Sequence, residues 1–248
     1  MPLNTKAIER RIKQHIYAKE HRFFAVVHPG FEGAARAEIE SIAAVSEIEI
    51  SDGGIEFTCG MEEMWKLHLA SRCATRFLMR VGIFRALFWN ELREKCAALP
   101  WELYLDPVSG ADFSITCHHS KLYHTGRISQ EIYAAISERF ASQGHDEPVV
   151  EGGGDSIKVF VRFQDDVCTL SVDCTGEPLY RRGYKIDINE APLRETLAAS
   201  ILFEAGISAY DLLVDPMCGS GTIPVEGAMF AGGVLPGFLR TYAFKRFP

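Results

Sequence analysis

The sequence predicts an α+β protein in which strands and helices alternate in two successive small units, followed by a segment that opens as strand, glycine turn and helix. Three observations predict it. Residues 126–141 place Ile128, Ile132, Ala135 and Ile136 on one helical face, and residues 112–118 alternate as a half-buried strand does. Turn residues such as Asp52-Gly53-Gly54 and Gln164-Asp165-Asp166 separate runs with strand character.

The elements follow in order. Ile8, Ile12 and Ile16 recur at helical spacing in a segment rich in Lys6, Arg10, Arg11, Lys13, Lys19 and Arg22, which predicts a basic amphipathic helix with a solvated charged face, a nucleic-acid contact being the alternative. Residues 23–28 suit a buried strand, Pro29-Gly30 breaks it, and 32–43 have alanine-rich helical periodicity. Strands are expected over 46–50 and 55–58. A helix over 62–70 should turn Met64, Leu67 and Leu69 mostly inward and lead to a strand over 77–84.

The second unit begins with a helix over 90–99, which Asn90 is suited to cap and Pro100 ends. The strand 112–118, the helix 126–141, a glycine-rich loop 144–155 and a hairpin of 157–163 with 167–172 complete it. Beyond Asp173 the chain becomes polar, and Pro192 opens a helix to Ala205. A short strand over 212–215 then feeds a glycine turn and a helix over 223–231. Trp65, Trp89 and Trp101 are spread out and read as packing residues.

Composition excludes several classes. With 47% hydrophobic and 24% charged residues the 248-residue chain can bury a core, but no apolar run is long enough to span a bilayer. Seven cysteines without a C-x-x-C pair suggest neither a disulfide framework nor a zinc site, and adjacent Cys117, His118 and His119 cannot all face one ion from a strand. A net charge of −7 argues against a protein coated in phosphate-binding charge, although a local basic face is compatible with it. A reduced, cytoplasmic protein without a metal is expected.

The sharpest chemical signal is Leu213-Val214-Asp215-Pro216-Met217-Cys218-Gly219-Ser220-Gly221-Thr222. Glycines at 219 and 221 let the backbone bend sharply and a ligand approach it, and amides from Thr222 onward offer donors at a helix N-terminus. A nucleotide P-loop would need a lysine after Gly221, a hydrolase elbow would need G-x-S-x-G, and a dinucleotide fingerprint would need a third glycine. None is present.

The run Asp215–Thr222 followed by Glu226 resembles the first motif of amino-group methyltransferases acting on RNA and DNA. Leu179-Tyr180-Arg181-Arg182-Gly183-Tyr184, the stretch Glu190-Ala191-Pro192-Leu193-Arg194-Glu195-Thr196-Leu197, and Leu235-Pro236-Gly237 resemble bacterial 23S ribosomal RNA guanine-N2 methyltransferases. That resemblance implies a ferredoxin-like N-terminal region over 1–70, a THUMP RNA-binding domain over 71–175, and a linker with the start of a Rossmann-like methyltransferase domain over 176–248. It also implies S-adenosyl-L-methionine as cofactor, bound by Asp215, Pro216, Cys218, Gly219, Ser220, Gly221 and Thr222, with Thr196 near its methionine end. Glu226 would either orient the cofactor ammonium or simply complement a helix N-terminus.

Lys121, Tyr123, His124 and Arg127 lie in a segment similar to the corresponding THUMP loop and are the implied RNA contacts. Arg181 and Arg182 would either clamp RNA or anchor the linker by ion pairs. The family's Asn-Pro-Pro-Tyr segment is absent, as is a second acidic residue for the cofactor ribose. The chain is therefore expected to be a catalytically inactive piece of a longer enzyme. Its last segment is expected to be disordered, packed on the preceding domain or paired with a second copy as a homo-oligomer. Readings as a stand-alone RNA-binding module or a DNA adenine methylase are the alternatives.

Overall fold

The structure is a computed structural model that describes residues 5–51, 53–105, 110–144, 156–184, 193–209 and 212–246. In chain order its elements are α1 (Thr5–Ile12), continued by a π-helical stretch Lys13–Tyr17, then β1 (His21–Val26), α2 (Glu32–Ile42), β2 (Ser46–Ser51), β3 (Gly54–Cys59), α3 (Met61–Ala70) and β4 (Arg76–Arg85). There follow α4 (Trp89–Ala97), a 3-10 turn Trp101–Leu103, β5 (Ala111–His118), α5 (Thr125–Ser142), β6 (Ile157–Gln164), β7 (Val167–Asp173), α6 (Glu195–Glu204) and α7 (Thr222–Ala231).

These elements form two compact units, each assembled from separated stretches of chain. One comprises Met1–Lys19, Leu78–Gly176 and Ala243–Pro248; the other comprises Glu20–Phe77 and Glu177–Tyr242. The chain crosses between the units at 19/20, 77/78, 176/177 and 242/243, so the N-terminal helix groups with the middle of the chain.

In the unit holding Glu20–Phe77, antiparallel strands run in the order β2-β3-β1. Register places Phe23 opposite Phe57 and Ala25 opposite Ile55, so the inward-facing residues of both strands share one side. All four are fully buried, and the Phe23 and Phe57 rings stack with centroids 6.1 Å apart. Helices α2 and α3 contribute Ala35, Ile39, Met64 and Leu67 to this core. In α3 it is His68, not Leu69, that turns inward, because residue 68 lies one helical turn from Met64 while Leu69 falls off that stripe and is 40% exposed.

His68 Nδ1 donates to the Met64 carbonyl at 2.8 Å, and its ring sits against Phe77 and Tyr242. Tyr242 in turn donates to the His68 carbonyl, and the Gly237 amide donates to the Leu69 carbonyl at 3.0 Å. A Cβ on Gly237 would meet the His68 carbonyl oxygen at 2.6 Å and the Leu69 Cα at 2.8 Å, which explains the glycine after Leu235-Pro236.

The other unit carries strands in the order β4-β7-β6-β5, with β5 and β6 parallel and the remaining pairs antiparallel. Helix α5 joins the parallel pair and buries Ile128, Ile132, Ala135, Ile136 and Phe140, the face read from the sequence. Asp165 and Asp166 turn the β6–β7 hairpin at φ 50° and 65°, the left-handed geometry that matches strand twist and that aspartate tolerates. Trp101 is fully buried and donates to the Cys96 carbonyl.

The N-terminal helix buries Ile8, Ile12 and Ile16, the stripe read from their spacing, and Glu102 binds both Arg11 at 2.6 Å and Arg139 at 2.7 Å. Three expectations are corrected. Helix α4 has no asparagine cap; Glu91 reaches back to the Leu87 amide at 2.9 Å. No strand forms over 212–215, since no other described segment offers it a ladder, and Leu212 and Val214 are 78% and 71% exposed. Helix α6 begins at Glu195; Pro192 and most of the 144–155 loop lie outside the described residues.

Two stability measurements follow. Gly237→Ala should cost about 2–3 kcal/mol in chemical denaturation followed by circular dichroism, because backbone blocks the new methyl group. Gly33→Ala, in α2 with open space around it, should be neutral or stabilising by up to about 1 kcal/mol. Burial also pushes the His68 pKa down to about 4, against about 6.5 in an unfolded chain. The folded state then binds fewer protons in that window, so His68 withdraws roughly 3 kcal/mol of stability as pH falls from about 6.5 to about 4. Titrating unfolding free energy for wild type and His68→Gln should show a shallower acid loss in the variant.

Candidate functional site

The glycine bend sits at the start of α7. Asp215 Oδ1 accepts the Met217 amide at 3.1 Å, an Asx turn, and the Gly221 amide closes on the Cys218 carbonyl at 2.7 Å. Gly219 and Gly221 have φ 53° and 73°, and a Cβ on either would meet nothing within 4 Å. The bend is thus open on the outside and demands glycine only for its backbone. Pro216, Cys218, Gly219 and Ser220 are exposed, whereas Thr222 is buried with its hydroxyl 3.2 Å from Ser220 Oγ and 3.4 Å from the Leu193 carbonyl. The first turn of α7 has no side-chain cap and no acidic residue, and with Pro224 lacking an N–H and the Val225 amide bonded to the Gly221 carbonyl, its uncapped donors are the amides of Thr222 and Ile223.

Behind the bend lies a buried ionic cluster. Glu226, on the second turn of α7, is 1% exposed and takes hydrogen bonds from Arg182 Nε at 3.4 Å and the Tyr184 hydroxyl at 3.2 Å. Arg182, 2% exposed, also donates to the carbonyls of Leu179 and Arg72. Arg72 faces the other Glu226 oxygen at 4.0 Å and donates to the Val234 carbonyl at 2.5 Å and the Met229 carbonyl at 3.3 Å, closing the far end of α7. The Arg72 backbone is fixed by Glu38, which accepts from the amides of Arg72 and Cys73 and from the Ser71 hydroxyl. Burial raises the Glu38 pKa and lowers that of Arg72, while burial and the Glu226 charge raise that of Tyr184.

These contacts sort the residues named from the sequence. The Arg182 guanidinium is enclosed among Glu226 and the Leu179 and Arg72 carbonyls. Arg181 is exposed and pairs with Glu177 at 2.5 Å. Glu226 is held by interior arginines, a role neither of its two expected uses included. Thr196 is fully buried with its hydroxyl 3.1 Å from His28 Nε2, and burial together with Arg194 lowers the His28 pKa. The sequence reading missed Glu38, Arg72 and Tyr184 as members of the cluster; a lone Arg or Glu in an apolar stretch was the only available sign.

The other unit carries Lys121, Tyr123 and His124 between β5 and α5 and Arg127 in the first turn of α5. The Tyr123 and His124 rings lie 4.2 Å apart, Lys121 Nζ sits 4.0 Å over Phe88, and Arg127 sits 4.3 Å over Trp89. Phe88 and Trp89 were not singled out as contacts from the sequence. Arg127 also faces Glu131 at 3.7 Å. No group of three metal-ligating side chains occurs among the described residues.

Removing one member of a buried ion pair strands the other. Glu226→Ala should therefore destabilise the protein by about 3–5 kcal/mol in denaturant titration, whereas Arg181→Ala, at an exposed pair, should stay within about 0.5 kcal/mol of wild type.

Comparison with known proteins places this geometry in context. An RlmL ferredoxin-like domain model matches residues 22–78, a THUMP domain model 88–173, and an RMKL-like methyltransferase domain model 182–246. The first and third matches fall mainly in the unit that holds the glycine bend, and the second lies in the other unit. The chain is 34% identical over 220 residues to a ribosomal RNA large subunit methyltransferase K/L from Psychromonas ingrahamii, covering 84% of this chain and 29% of that protein. It is 32% identical over 225 residues to the protein of the same name from Syntrophotalea carbinolica, covering 89% and 31%. The chain thus spans less than a third of the length of these curated relatives. A predicted N6-adenine-specific DNA methylase from Listeria monocytogenes superposes with a TM-score of 0.81 at 28% identity, over 93% of this chain and 60% of that one. SMU.472, a putative methyltransferase complexed with SAH, gives 0.76 at 28% identity with the same coverage. The chain carries, in order, an RlmL ferredoxin-like domain, a THUMP domain and RMKL-like methyltransferase sequence, and is a homologue of the ribosomal RNA large subunit methyltransferases K/L.

Proposed function

We propose that the chain is the RNA-recognition and donor-loop portion of an S-adenosylmethionine-dependent methyltransferase that modifies the guanine N2 amino group of 23S ribosomal RNA in the cytoplasm. The observation that carries this reading is the open bend at Gly219 and Gly221, whose backbone amides lead into α7 in a chain that also holds a THUMP domain. The SAH complex of a structural relative supports the choice of donor. When bound, the donor supplies an electrophilic methyl group on a sulfonium.

The chain's own residues hold rather than react. Asp215, Pro216, Cys218, Gly219, Ser220, Gly221 and Thr222 form the bend, and its amides are suited to the carboxylate or ribose oxygens of the donor. Thr196 and Glu226 act from beneath, fixing α6 and α7. The THUMP domain captures structured RNA and presents a guanine flipped from its stack. The sequence contains no Asn-Pro-Pro-Tyr segment, the one that in the resembled family accepts hydrogen bonds from the amine being methylated, and on this reading the polypeptide alone transfers no methyl group.

A second reading, an RNA-binding module without catalysis, is favoured by the lack of strand pairing at 212–215 among the described residues. Two measurements separate the readings. Calorimetry with S-adenosylmethionine should show binding that Gly221→Val weakens at least about tenfold, because a β-branched residue is strained at φ 73°. Wild-type protein with no measurable donor binding favours the module. Incubation with ribosomal RNA and methyl-labelled donor should transfer no label, and transfer would overturn the inactivity of the polypeptide.

A further inference from the structure

Two cation–aromatic pairs stand on the unit that contains the THUMP domain, Lys121 over the exposed Phe88 and Arg127 over the half-buried Trp89. Phe88 is 52% exposed and Tyr123 is 61% exposed, so neither ring is held at the surface by a core that needs it. Each is nevertheless fixed. The Leu87 amide is held by Glu91, which sets the chain entering α4. On the facing segment Leu122 is buried, the Lys121 amide donates to Asp166 Oδ1 at 2.7 Å, and Ser120 Oγ donates to the His118 carbonyl. Lys121 over Phe88 and Arg127 over Trp89 then join the two segments, with the Tyr123–His124 ring pair beside them.

We infer that Phe88, Trp89 and Tyr123, with Lys121 and Arg127, form a preorganised platform on which unpaired RNA nucleotides stack. The inference rests on the RNA reading above and specifies its substrate class. Bases within a duplex already have stacking partners, so rings presented at a surface select bases that lack them. Lys121 and Arg127 supply charge at the ring edges for the phosphates between those bases.

Acidic groups stand close by: Glu91 at the start of α4, Glu131 facing Arg127 and Arg93, and Asp166 facing Arg85. They dilute the positive field, which agrees with a total charge of −7 and makes stacking, rather than phosphate density, the source of affinity. Two phosphate contacts predict a shallow salt dependence, with a log–log slope of about −1.4 for a single strand.

The test is fluorescence anisotropy of the 248-residue protein with a labelled single-stranded oligoadenylate, with the same strand in a duplex, and with ribosomal RNA. The single strand should bind at least about tenfold more tightly than the duplex, Phe88→Ala should weaken it about tenfold, and Lys121→Ala should reduce the slope by about 0.7. Tryptophan emission should be quenched on binding in wild type and unquenched in Trp89→Phe, which isolates Trp89 from Trp65 and Trp101. Circular dichroism melts confirm that each variant is folded. If ribosomal RNA binds while Phe88→Ala and Trp89→Leu retain wild-type affinity, the platform is wrong and the RNA reading stands. If no RNA binds, both fall, and a protein partner becomes the occupant of the patch.

Discussion

A single buried carboxylate, that of Glu226, determines where the glycine bend can be. Enclosing an ionised group costs several kcal/mol unless partners surround it, and the chain surrounds this one from three directions. Arg182 and Tyr184 reach it from the segment after the THUMP match, and Arg72 from the end of α3. Since Glu226 stands only one turn inside α7, fixing its oxygen atoms fixes the pitch of the helix and the aim of its first amides. Arg72 works at the opposite end as well, where it donates to the Val234 carbonyl and adds a second donor to the Met229 carbonyl, which also accepts from the Val234 amide.

This arrangement ties the ferredoxin-like segment to the helix that follows the glycine bend. Glu38 clamps the amides of Arg72 and Cys73, so the arginine that steadies α7 is itself steadied from α2. The hydrogen bonds replace water around a carboxyl group that burial drives toward its neutral form. Sequence kinship points the same way, because the ferredoxin-like and methyltransferase matches fold largely into one compact unit although the THUMP match separates them in the chain.

Local periodicity made most of the fold legible. The inward face of α5, the β6–β7 hairpin and the helix after Gly221 each follow from residues within a few positions of one another. The bend was legible for the same reason: only glycine suits φ 53° and 73° cheaply, and two glycines stood where the strand-like run ended. What sequence could not carry was long range. Arg182 looked like either an RNA clamp or an anchor until Glu226 and Arg72 were seen beside it, and Glu226 gave no sign of facing arginines far away in the chain. The strand expected over 212–215 had the right composition, but a strand is defined by its neighbour. Phe88 and Trp89 were passed over because their cationic partners come from another element.

The interleaving of the two units governs how the chain can be made and cut. A ribosome releases Glu20–Phe77 well before its companion stretch Glu177–Tyr242, and at usual elongation rates the delay is roughly 5–20 s. During that interval Arg72 has no glutamate to meet, and the apolar side of α3 waits for Tyr242. Nor does any one break in the polypeptide liberate an intact half: scission anywhere between Leu78 and Gly176 severs both units, one within its continuous stretch and the other between its two parts. Circular permutation, not truncation, is the rational route to either half in isolation.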